Sequence, residues 1–121
     1  MFSSLFQRSG QTATRPRIAN ITIPELQRQL ESGAAPILVD VRSPMEYQYE
    51  GHIAGARLLP LQVLQRRLSE LPTDQPIVCV CRSGNRSQVA CEILSAAGFD
   101  NVVNLGGGMI AWQMAGLPVN R

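Results

Sequence analysis

The chain has 121 residues, enough for one hydrophobic core and too few for two. At 45% hydrophobic and 17% charged, with no apolar run near the ~18 residues of a membrane span, it reads as a soluble globular domain without a membrane anchor. A net charge of +2 is too small to argue for nucleic acid as a partner.

Residues 1–17, MFSSLFQRSGQTATRPR, read as a flexible N-terminal tail, with the folded domain expected over 18–121. The tail carries Arg8, Arg15 and Arg17 with several Ser and Thr, and no acid precedes Glu25. Its apolar part is too short for a secretory h-region, so export is disfavoured and a cytoplasmic protein is expected. The same composition resembles an organellar transit peptide. Phe2, Leu5 and Phe6, at helical spacing, form a second feature able to dock on the domain or a partner.

The rest alternates β-branched runs with helical stretches. ITI (21–23) is a short strand, and Pro24 suits the first turn of a helix that Gly33 ends. PILVDV (36–41) is a buried strand, followed by a short helix in PMEYQYE, a turn in GHIAGA and a brief strand in RLLPL. LQVLQRRLSEL predicts an amphipathic helix with Leu61, Leu64, Leu68 and Leu71 on one side. PIVCVC (76–81) is a second buried strand, and a helix beginning near Ser87 runs to Gly98. NVVNL gives a last strand and GGMIAWQMAG a last helix. Strands separated by helices throughout predict an α/β fold: an open, mostly parallel sheet with helices on both faces.

In such sheets ligands bind at the carboxyl ends of strands. Cys81 stands there, closing a buried strand ahead of the loop RSGNR and a helix. A thiol has an ordinary pKa of roughly 8.5 and reacts as the thiolate. The loop Arg82, Ser83, Gly84, Asn85, Arg86, Ser87 is small enough to curl its N–H groups onto the sulfur. Gly84 accepts positive φ, and Asn85 tolerates it better than most residues. Such a nest, backed by a helix N-terminus and two arginines, favours thiolate and can hold an anionic substrate beside it.

Cys79 and Cys91, by contrast, read as core residues. An odd count of three cysteines argues against a disulfide framework and for a reducing compartment. Without a CxxC pair, and with His52 the only histidine, no metal site is expected.

Three ordered stretches then point to a family. PILVDVRSPMEYQYEGHIAGARLLPL resembles the DVR…E(Y/F)…GHI-GA signature of rhodanese domains, PIVCVCRSGNRSQVACEIL their cysteine loop, and NVVNLGGGMIAWQMAGLPV their last strand and helix. The resemblance implies a five-stranded, mostly parallel rhodanese-like domain with Cys81 as sulfur-accepting nucleophile. It implies a sulfurtransferase that moves a sulfane sulfur from a donor such as thiosulfate to cyanide or a thiol. The covalent intermediate would be a Cys81 persulfide, with no separate cofactor. The alternative is a sulfur-relay or redox-sensing module that hands the persulfide to a protein partner. Arg82 is expected to contact the donor and Arg86 to brace the loop.

Phosphatases of the same fold place five residues between cysteine and arginine, whereas four separate Cys81 from Arg86. The shorter loop suits one sulfur atom better than a phosphate. Ser83 stands where efficient thiosulfate users often carry a second cation, which lowers the expected affinity for a dianion. Asp40 and Arg42, at the end of the earlier buried strand, are supporting residues, either as an ion pair or as a partner for the loop. Glu46 and His52 are expected to stabilise turns. GGGMIA (106–111) mimics a dinucleotide fingerprint, but only ten residues follow Ala111, too few for the strand and acid that a ribose requires. NAD is therefore rejected, and the glycines are assigned to a tight turn.

Overall fold

Five short strands form one sheet: β1 (Ala19–Ile21), β2 (Ile37–Asp40), β3 (Arg57–Leu58), β4 (Ile77–Val80) and β5 (Val102–Leu105). The spatial order is β1-β5-β4-β2-β3, and every pairing is parallel. These facts come from a computed structural model that describes residues 17–121. The expectations for the tail lie outside the described residues, Arg17 excepted. Among the described residues no helix is long and apolar enough to cross a membrane.

Strand alternation sends side chains to two cores. Ile77, Cys79 and Cys81 join Val39 on one face, under α3 (Leu61–Leu64) and α4 (Asn85–Ala96). Val78 and Val80 join Leu38 on the other face, with Leu26 of α1 (Ile23–Glu31) and Trp112 of α5 (Gly108–Met114). Both faces of the sheet are therefore covered, as its uninterrupted apolar strands require. The chain steps outward from β2 to β3, returns to the central β4 and steps outward again to β5. The carboxyl ends of β2 and β4 thus lie side by side at the point where the winding reverses, where open α/β sheets bind ligands.

Three elements differ from expectation. The first strand is Ala19–Ile21, two residues earlier than ITI, because Thr22 leaves the sheet to cap α1. Its hydroxyl accepts the Glu25 N–H while the Glu25 carboxylate accepts the Thr22 N–H, a reciprocal box that fixes the helix start. The single helix expected over 61–71 is two pieces, α3 and a 3-10 turn at Leu68–Glu70. Short-range bonds from Arg66 N–H to Val63 O and from Arg67 N–H to Leu64 O tighten the chain between them. All four leucines still reach the core, so burial does not need a continuous helix. Finally α4 begins at Asn85, two residues before Ser87, so Asn85 is helical and only Gly84 in the loop has positive φ.

Candidate active site

Cys81 is 1% exposed and follows directly on the central strand. Gly84, at φ 106, turns its own N–H back onto the sulfur, so that Sγ accepts it at 3.1 Å. The Ser87 hydroxyl lies 3.2 Å from the same sulfur. Burial pushes the Cys81 thiol up, yet the Ser87 hydroxyl and the N–H groups of Ser87, Gly84 and Ser83 outweigh it and hold the thiol below its ordinary value. The expected nest is present, with α4 running away from it so that its positive end faces the sulfur.

The loop keeps this shape because a second helix grips it from behind. Met109 N–H donates to Cys81 O at 2.9 Å and Ile110 N–H to Arg82 O at 3.0 Å. The first turn of α5 thereby occupies the loop's carbonyls, which leaves the loop N–H groups free to face the sulfur. Such contact between backbones needs a residue without Cβ. At Gly108, with φ +55, a Cβ would run into Cys81 O and stand 2.7 Å from Arg82 O. The glycines of GGGMIA thus do more than turn the chain, because one of them lets α5 dock on the cysteine loop.

The charged residues fall into two groups. Arg86 and Glu46 of α2 (Pro44–Tyr49) form a two-pronged pair, Nη1 to Oε1 and Nη2 to Oε2, both at 2.7 Å. The Arg86 guanidinium is the main reason the Glu46 carboxyl lies at about 2. The loop is thereby tied to the helix across the sheet edge. The Arg82 side chain is exposed and has no hydrogen-bonding or ion-pair partner among the described residues.

Asp40 and Arg42 are buried and closed on each other, Nε to Oδ1 at 2.9 Å and Nη2 to Oδ2 at 2.8 Å. Arg42 Nη2 also donates to Gly51 O at 2.8 Å. Among the described residues no loop donor reaches Asp40, so of the two expectations for it the internal ion pair is the one present. His52 Nδ1 donates to Tyr47 O at 2.8 Å and its ring stacks on Tyr47 at 3.6 Å, in a bracing position.

The family model for the rhodanese-like domain matches residues 22–115. The chain belongs to the rhodanese-like domain family. It is 40% identical over 102 residues to a sulfurtransferase of Allochromatium vinosum, covering 84% of this chain and 94% of that one. It is 38% identical over 79 residues to a thiosulfate sulfurtransferase, GlpE, of Pseudoalteromonas translucida, covering 65% of this chain and 74% of that one. The crystal structure of a rhodanese-related protein from Thermoplasma volcanium superposes with a TM-score of 0.77 at 32% identity, over 84% of this chain and 97% of that one. The Allochromatium and Pseudoalteromonas relatives are both sulfurtransferases.

Within this rhodanese-like domain two site residues carry no sequence signal strong enough to find them. Gly108 was legible only as a turn glycine. Asn104, in β5, is 4% exposed and reaches the loop from a neighbouring strand: its Nδ2 donates to Gly84 O at 3.0 Å. A lone Asn in an apolar strand reveals its partner only once the sheet order is known.

Proposed function

We propose that the protein is a sulfurtransferase that carries sulfane sulfur on Cys81, with thiosulfate as donor and cyanide or a thiol as acceptor. The Cys81 thiolate attacks the outer sulfur of thiosulfate. A new S–S bond forms as the old one breaks, and its electron pair leaves with sulfite. The charge then rests on the terminal sulfur of the persulfide, where loop N–H groups and Arg82 meet it, as an oxyanion hole meets developing charge. The acceptor attacks that terminal sulfur and the electron pair returns to Sγ. No further cofactor takes part.

The observation that carries this reading is a buried sulfur held among converging N–H donors, followed in the chain by an exposed arginine whose side chain is unpaired among the described residues. The four-residue spacing to Arg86, and the commitment of Arg86 to Glu46, argue against a phosphate cradle. Thiocyanate formation from thiosulfate and cyanide tests it. Wild type is expected to turn over and Cys81→Ser to run at the uncatalysed rate; equal rates would contradict the assignment.

A second reading has its own support. With Arg86 paired and Ser83 uncharged, Arg82 is the one loop cation left to meet a dianion. A persulfide donor, carried by a protein or a small thiol, needs less positive charge than thiosulfate. Faster loading of Cys81 from a persulfide than from thiosulfate would favour the relay, and the reverse order would favour the small-molecule enzyme.

A further inference from the structure

Ser87 faces two acceptors with one hydroxyl proton. Cys81 Sγ lies 3.2 Å from its oxygen, and Asn104 Oδ1 on the far side makes the shorter contact of the two. The Asn104 amide cannot turn to relieve this competition, because its Nδ2 donates to Asn20 Oδ1 and to Gly84 O, both at 3.0 Å. A flip would set Oδ1 against those two oxygens. The in-register pairing of β1 with β5, Asn20 opposite Asn104, places the lock. Asn104 therefore presents an acceptor, never a donor, to Ser87.

The two arrangements suit different states of the sulfur. With Cys81 as neutral thiol, S–H can donate to Ser87 Oγ while Ser87 O–H donates to Asn104. A thiolate needs the Ser87 proton for itself, which empties Asn104 Oδ1. Once the charge has moved to an outer sulfur, Sγ no longer needs the proton. We propose that Asn104 is a positioning residue for Cys81, acting through Ser87: its fixed carboxamide oxygen draws the Ser87 hydroxyl away from Sγ when that sulfur is uncharged and yields it when Sγ carries charge.

The role in sulfur transfer rests on the function proposed above; the hydroxyl competition itself does not. The other titratable or charged groups around the sulfur are Arg86 with its partner Glu46 and the Cys79 and Cys91 thiols of the same core, with exposed Arg82 next in the chain. Asp40 at the end of β2 and Arg42 just beyond it are closed on each other, and neither β5 nor α5 contains a titratable side chain.

The test is ultraviolet titration of the thiolate, with Cys81→Ser as blank, which needs no substrate and stands whether or not the protein transfers sulfur. Ser87→Ala is expected to raise the Cys81 midpoint by roughly one unit, the size of one hydrogen bond to a charged group. Asn104→Leu is expected to lower it by roughly half a unit, since the hydroxyl then serves the sulfur alone. The double variant is expected at the Ser87→Ala midpoint, because Asn104 acts only through that hydroxyl. A rise in Asn104→Leu, or a shift of Asn104→Leu that persists without Ser87, would overturn the proposal and leave Asn104 as a support for Gly84. Should Asn104→Leu not fold, Asn104→Val, suited to a strand, carries the same expectations.

Discussion

Cys79 on β4 and Cys81 just beyond the strand's end face the same core and are 0% and 1% exposed, yet their thiols are driven in opposite directions. Cys79 is pushed well above its ordinary value by its contact with Cys91, by burial and by neighbouring sulfur charge. Cys81 is also closed off from solvent, less deeply than Cys79, but its thiol ends lower because the chain beyond it stops being a strand and turns its N–H groups inward. Burial alone makes a cysteine inert. A buried cysteine becomes reactive where the backbone supplies donors that a β-ladder would have used up.

The largest effect should come from the sulfurs themselves. Cys81→Ser is expected to lose sulfur transfer entirely, while Cys79→Ser and Cys91→Ser keep it and lose about 1–3 kcal/mol of stability from a hydroxyl buried in apolar surroundings. Turnover assays with urea unfolding check this, and an inactive but folded Cys79→Ser would break the contrast.

Gly108→Ala comes next, because the added methyl must push α5 off the Cys81 and Arg82 carbonyls. A displaced loop is expected to cost roughly 10- to 100-fold in kcat/KM, and unaltered kinetics would mean the α5 grip is dispensable.

Arg82→Ala should weaken thiosulfate use by roughly tenfold, the scale of one charge-assisted hydrogen bond, and Ser83→Ala by much less. Equal effects on KM would remove Arg82 from contact with the donor.

The smallest effect is acid sensitivity. The folded Glu46 carboxyl lies at about 2 against an ordinary 4.5, so its contribution to stability is complete above 4.5 and fades as pH falls toward 2. Glu46→Gln should flatten the pH dependence of stability in that window, as measured by urea unfolding at several pH values.

Much of this was legible in the sequence because the signals are local. PIVCVC announces its strand by uninterrupted apolar character, and the loop announces its chemistry by a glycine and two arginines directly after the cysteine. The helix over 61–71 was misread because leucine spacing alone cannot tell one amphipathic helix from two short turns that bury the same four side chains. The end of the first strand was misplaced by two residues because Thr22 could continue a β-branched run or cap a helix, and Glu25 decides for the cap. What escaped was non-local. The pairing of Arg86 with Glu46 spans forty residues, and the contact of Asn104 with Gly84 spans twenty. Both depend on which strands become neighbours.

The most direct test of the central claim is intact mass after brief thiosulfate treatment, with and without later cyanide, on wild type, Cys79→Ser and Cys81→Ser. A gain of one sulfur atom is expected in wild type and Cys79→Ser, removed by cyanide, and none in Cys81→Ser. A gain that survives in Cys81→Ser, or one that disappears in Cys79→Ser alone, would place the reactive sulfur on the wrong cysteine and contradict it.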